Sequence, residues 1–114
     1  MFLILQHGLT PLHLASQSGH EGLVRVLLNS PGVQVDAATS IHGSIPLHLA
    51  AQNGHTAVAS LLLSKSTALI HIADKRGRTG LHLAAYTGQI DMVALLLGQG
   101  IEINALDQVC ILLS

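Results

Sequence analysis

This sequence predicts an all-α solenoid, a stack of helix-turn-helix units joined by turns, on three grounds. One motif occurs three times, as Gly8-Leu9-Thr10-Pro11-Leu12-His13-Leu14-Ala15, Gly43-Ser44-Ile45-Pro46-Leu47-His48-Leu49-Ala50 and Gly77-Arg78-Thr79-Gly80-Leu81-His82-Leu83-Ala84. Its spacing is nearly constant, 35 positions from Leu12 to Leu47 and 34 from Leu47 to Leu81. The second halves keep the same phase: Leu23, Val58 and Met92 correspond, as do Val26, Leu61 and Leu95, then Leu27, Leu62 and Leu96, then Leu28, Leu63 and Leu97. The third ground is composition, with 49% of residues hydrophobic, 2% aromatic and 10% charged. Such a chain must bury its aliphatic surface. Helices of about 8–10 residues are unstable alone in water, so neighbouring units complete a core that no single unit closes.

In chain order, residues 1–7 form an atypical tail, in which Met1-Phe2-Leu3-Ile4-Leu5 lacks the basic segment of a signal peptide. The first unit is expected over residues 8–39. Thr10 suits an N-cap and Pro11 the first helical position, where its missing N–H costs nothing. Leu12, Leu14 and Ala15 are expected to face inward, and Gly19 to end the helix with positive φ. A second helix should start near His20 or Glu21 and bury Leu23, Val24, Leu27 and Leu28, with Glu21 pairing with Arg25 one turn on.

The second unit is expected over residues 40–73 and keeps Pro46, Leu47, His48 and Gly54. Ile45 stands where the first unit has its capping Thr, a loss of about 1 kcal/mol. The third, over residues 74–107, keeps Thr79, Leu81, His82 and Gly88 but has Gly80 in place of the proline, which loosens a helix by up to ~1 kcal/mol. The connections around Pro31–Ala38 and Ser66–Ile72 are long for the period. Residues 108–114 form an apolar C-terminal tail, Gln108-Val109-Cys110-Ile111-Leu112-Leu113-Ser114. Neither tail offers the polar outer face of a terminal repeat, so the expectation is a stretch of a longer array.

Thr-Pro-Leu-His-x-Ala at a period near 33 is the ankyrin signature, and Gln6 to Asp107 resembles the ankyrin-repeat family. The resemblance implies a solenoid with β-turn fingers that binds proteins. It also implies that the tetrapeptide histidine bonds backbone and the Thr hydroxyl, a partner His48 lacks beside Ile45. Longer strings, among them Gly32-Val33-Gln34-Val35-Asp36, Asp74-Lys75-Arg76-Gly77-Arg78-Thr79 and Leu97-Gly98-Gln99-Gly100-Ile101-Glu102-Ile103-Asn104, resemble the ankyrin arrays of NompC-type mechanosensitive cation channels of the TRP superfamily. That resemblance implies a segment of a helical spring on the cytoplasmic side of the plasma membrane, linking a channel to the cytoskeleton.

The residues point away from catalysis. Of eight histidines, His13, His48 and His82 belong to the motif, and His20 and His55 follow helix-ending glycines. His7, His42 and His71 lie in or beside turns and are expected in solvent. Equivalent histidines one unit apart stand about 10 Å from each other, whereas zinc draws its nitrogen ligands to ~2.1 Å, so no metal site is expected. There is no Gly-x-Ser-x-Gly elbow, and Cys110 lies in an apolar tail without a nearby base. Gly77-Arg78-Thr79-Gly80 lacks the spacing of a phosphate loop. Asp36, Asp74 and Asp107 read as turn formers. We expect no enzyme and no cofactor.

A net charge of −1 gathers neither nucleic acid nor anionic lipid, and no apolar run approaches the ~18 residues of a membrane span. The lone cysteine fits a reducing, cytoplasmic compartment. Lys75, Arg76 and Arg78 hold three of the five basic residues. They read either as a solvated finger tip or as a contact for an acidic partner, which such charges would orient on approach. Tyr86 reads either as a binding anchor or as cover for the groove floor. The expected partner is a protein or an adjacent repeat. The function expected is an interaction or elastic segment of a cytoplasmic array, the alternative being a self-contained adaptor.

Overall fold

The computed structural model describes residues 8–99. Among them lie six α-helices, α1 (Pro11–Ser18), α2 (Glu21–Leu28), α3 (Pro46–Gln52), α4 (Thr56–Lys65), α5 (Gly80–Tyr86) and α6 (Ile90–Leu97). They form three hairpins. α1 packs on α3 and α3 on α5, while α2 packs on α4 and α4 on α6. The all-α repeat solenoid is the observed fold. Both tails, the end of the third unit, His7, Asp107 and Cys110 lie outside the described residues.

Local chemistry explains each hairpin. The Thr10 hydroxyl accepts from the His13 N–H at 3.3 Å and that of Thr79 accepts from the His82 N–H at 3.4 Å. Pro11 and Pro46 sit in the first turns of α1 and α3. At the other end of α1, Gly19 adopts φ 75° and its N–H returns to the Ala15 carbonyl. That left-handed conformation turns the chain into α2 within two residues.

Burial follows the direction of stacking, and this corrects two expectations for the first unit. Leu14 is 37% exposed and Leu23 47% exposed. The counterparts of Leu23, Val58 and Met92, are 1% and 0% exposed, while those of Leu14 are half-buried at Leu49 and 4% exposed at Leu83. These positions face the preceding hairpin, and in the first unit no described hairpin precedes. The opposite side behaves in the mirror sense: Leu28 and Leu63 are buried at 5% and 4%, while Leu97 is 40% exposed. Val24, Leu12 and Ala15 are buried as their pattern predicts.

The long connection after α4 is not a plain loop. Thr67–His71 form a 3-10 turn against α4 that buries Leu69 and Ile70. Only this packing distinguishes the segment from an ordinary insertion, because five residues carry too little periodicity to reveal a helix.

Candidate functional site

The histidines are architecture joined across units. His13 Nδ1 accepts from the Thr10 N–H at 3.1 Å and lies 2.8 Å from the Thr10 hydroxyl. Because Nδ1 accepts a backbone N–H, the proton of the neutral ring sits on Nε2, which donates to the Ser44 carbonyl of the next unit at 2.9 Å. His48 repeats the arrangement without a hydroxyl. Its Nδ1 accepts from the Ile45 N–H at 3.2 Å, and its Nε2–H donates to the Ile72 carbonyl at 2.9 Å. Both ring nitrogens are satisfied and the tautomer follows, so Ile45 does not orphan His48. The His48 N–H that a Thr would have capped donates to the Ile45 carbonyl at 3.0 Å instead. His82 makes the same Nδ1 contacts with Thr79 as His13 makes with Thr10.

Burial pushes the His13 imidazole below its ordinary value of 6.5, against the opposing pull of the Ser44 and Ala37 carbonyls. Burial likewise lowers His48, with the Ile72 carbonyl and the Asp74 charge acting to raise it and Arg78 and His13 adding to the fall. Both rings are held neutral. His20, His42 and His71 are exposed, whereas His55 is half-buried and its Nε2–H donates to the Gln17 carbonyl of the preceding unit at 3.0 Å.

The basic run divides by role. Asp74 is buried, and its Oδ1 accepts from the N–H groups of Arg76 and Arg78 at 2.9 and 3.0 Å. Its Oδ2 accepts from Arg78 Nε at 3.0 Å. Burial alone would raise the Asp74 carboxyl, but these bonds from Arg78 and Arg76 and the Arg78 charge outweigh it and hold the group below its ordinary value. Arg78 is thus an internal partner of Asp74 through Nε, with its side chain still 34% exposed. Lys75 is also engaged: its N–H donates to the His42 carbonyl at 2.9 Å and its ammonium to the Ser40 carbonyl, so the two fingers are clipped together. Arg76 is exposed, and its guanidinium has no acceptor among the described residues.

In the second finger, Thr39 takes the place that Asp74 fills in the third. It is buried, and its hydroxyl accepts from the Ser44 N–H at 3.1 Å. Asp36, expected as a turn former, lies in a turn ahead of that finger and is exposed.

Tyr86 closes α5 and is 73% exposed. Ile90, which opens α6 across the same turn, is 80% exposed. The equivalent pairs are Gln17 with Glu21 and Gln52 with Thr56, so an apolar pair stands where the other units are polar. The signal for Ile90 in the sequence is its break with Glu21 and Thr56, the polar residues at the same position of the other units. A cleft of about 380 Å³ lies between the start of α1 and the connection after α2, lined mainly by Pro11, Leu12, Leu27, Pro31 and Val33. It offers apolar contact and no titratable group.

Among the described residues, no three His, Cys, Asp or Glu side chains gather to hold a metal ion, and no helix is long and apolar enough to cross a membrane. The family model for ankyrin repeats in three copies matches residues 32–107, and the single ankyrin-repeat model matches residues 7–40. Ankyrin repeats generally mediate protein–protein interaction. The stacked hairpins, the histidine bonds between them and a family match over most of the length all lead to one assignment: this chain belongs to the ankyrin-repeat family.

Proposed function

We propose that this chain is a non-enzymatic protein-interaction and elastic segment of a longer cytoplasmic ankyrin array, of the kind carried by NompC-type mechanosensitive channels. The observation that carries the reading is the pattern of packing: the main helix contacts run within a hairpin or between neighbouring hairpins. Contacts of that range spread a small strain over many interfaces, which suits a spring. They also leave the fingers and the α5–α6 turn available to a partner. The loop and surface strings that resemble the channel arrays support the finer assignment.

Arg76 and the Tyr86–Ile90 pair are the side chains we assign to partner contact, with Lys75 and Arg78 holding the finger that presents Arg76. An exposed cation in the finger and an exposed aromatic and aliphatic pair at the far end of α5 fit an extended partner segment that is acidic at one end and carries an apolar anchor at the other. The test is binding of Asp/Glu-rich peptides that contain one Leu or Phe, followed by fluorescence anisotropy. Arg76→Glu and Tyr86→Ala should each weaken capture several-fold, and added salt should weaken it further. Unchanged affinity in both variants would remove this surface from the function.

A further inference from the structure

We infer that Asn53 is a self-modification site, which closes to a succinimide and opens to a carboxylate or an isoaspartyl linkage when the third hairpin lifts from the second. The three helix-ending turns share a backbone conformation but not a sequence. Gly19, Gly54 and Gly88 have φ of 75°, 75° and 76°, and the residues before them are Ser18, Asn53 and Thr87. Only the second turn therefore sets an asparagine, a thermolabile residue, before the glycine. Gly54 has no side chain to hinder its nitrogen as it approaches the Asn53 carboxamide. Asn53 is exposed, so water and base reach it.

The chemistry needs no co-reactant but water. The Gly54 nitrogen gives its proton to solvent and bonds to Asn53 Cγ, and the bond from Cγ to Nδ2 breaks to release ammonia. Water then opens the five-membered ring. Attack at Cγ restores the ordinary backbone with a side-chain carboxylate, whereas attack at the backbone carbonyl carbon leaves the chain running through Cγ. Nothing is oxidised or reduced.

The closed stack opposes the first step. Asn53 has ψ of 2°, which turns the Gly54 nitrogen away from the side chain, so ring closure requires a large rotation about that bond. The rotation breaks the bond from the Gly54 N–H to the Ala51 carbonyl at 3.3 Å and that from the His55 N–H to the Ala50 carbonyl at 2.9 Å. The leaving nitrogen is also held, since Nδ2 donates to the Leu49 carbonyl at 2.8 Å. Over the glycine lies Gln89 of the third hairpin. A Cβ built on Gly54 would stand 2.8 Å from its Cδ, and its Nε2 donates to the Gln52 carbonyl at 3.4 Å. The turn is thus clamped by its own bonds and by the neighbouring unit, and a local opening that lifts Gln89 releases it. An isoaspartyl linkage adds a carbon to the backbone, so the clamp no longer closes in the same register. The conversion needs no partner protein, and its failure leaves the peptide-binding reading standing.

Conversion is measured by incubating the whole chain in mildly alkaline buffer, with peptide mapping by mass spectrometry and enzymatic detection of isoaspartate. A synthetic peptide of residues 48–58 gives the unclamped rate. Asn53 in the folded chain should convert about tenfold more slowly than in the peptide, or slower still, because the turn must first open. Gln89→Ala removes the cover and should speed conversion several-fold. Gln89→His places at the second interface the residue type that covers Gly19 at the first, and should keep conversion slow. Helical circular dichroism equal to the wild type's assigns the difference between the variants to the turn; if Gln89→Ala loses that signal, the Gln89→His rate decides. Conversion of the folded chain at the peptide's rate, no acceleration in Gln89→Ala, or a Gln89→His rate that equals that of Gln89→Ala would each overturn the inference.

Discussion

Ser16 shows how finely one atom sets stability in a stack this small. Its side chain is fully buried, and its hydroxyl finds no partner among the described residues. The equivalent positions hold Ala51 and Ala85. An unmatched buried hydroxyl costs about 1–3 kcal/mol, so Ser16→Ala should stabilise by about 1 kcal/mol and raise the melting temperature by about 4–8 °C. Calorimetry that shows a lower melting point would mean that Ser16 has a partner in solution. Ile45 shows the reverse trade. It forgoes a capping hydroxyl of about 1 kcal/mol, but its 1% exposure returns about 1.5–3 kcal/mol through apolar burial.

The buried histidines make stability depend on pH. His13 and His48 are lowered from 6.5, so the unfolded chain binds protons that the folded chain resists. Stability from these groups is complete above the unfolded value of about 6.5 and falls as pH drops below it toward the folded values. Protonation must also displace the backbone N–H that each Nδ1 accepts. Asp74 adds a second loss in the same direction below its ordinary 3.8. Thermal melts should be flat from pH 8 to 7 and decline below about 6.5, with net proton uptake on unfolding. A melting temperature that rises on acidification to pH 5.5 would contradict the neutral tautomers assigned here.

At the scale of an element, the helix-ending glycines separate two physical demands. Gly19 and Gly88 share positive φ, near 75° and 76°, but only Gly19 lies beneath a side chain of the next unit. Gly88→Ala should cost about 1 kcal/mol of backbone strain. Gly19→Ala should cost about 2 kcal/mol, because it also displaces the His55 ring and its bond to Gln17. Equal losses in denaturant titrations would show that the ring moves aside freely. The fingers show a similar division of labour, since Asp74 and Thr39 organise their own turns while Lys75 ties one finger to the next. Of the basic run, that leaves the Arg76 guanidinium as the one without an acceptor among the described residues.

For the molecule as a whole, stability is a sum over hairpins and the interfaces between them. The second hairpin has neighbours on both sides, and α3 and α4 contain the most completely buried residues, including Leu47, Ala50, Ala59 and Leu62 at 0% exposure. Native-state hydrogen exchange should therefore find the amides of α3 and α4 slowest, with those of α2 and α6 opening first. Uniform protection would mean that the three hairpins unfold as one unit.

The repeat, its helix starts and its glycine stops were legible in the sequence because they are local events: a hydroxyl three residues before an N–H, a proline in a first turn, a glycine where φ is positive. The roles of Arg78 and His55, the exposure of Leu14 and Leu23, and the 3-10 turn at Thr67–His71 were not legible. Each depends on which unit stands alongside. By itself the sequence determined that the chain would stack, since it supplies aliphatic stripes too short to bury themselves. The tertiary structure alone decided which cation would be spent on Asp74 and which leucines would remain uncovered, because charge pairing and burial are properties of neighbours in space.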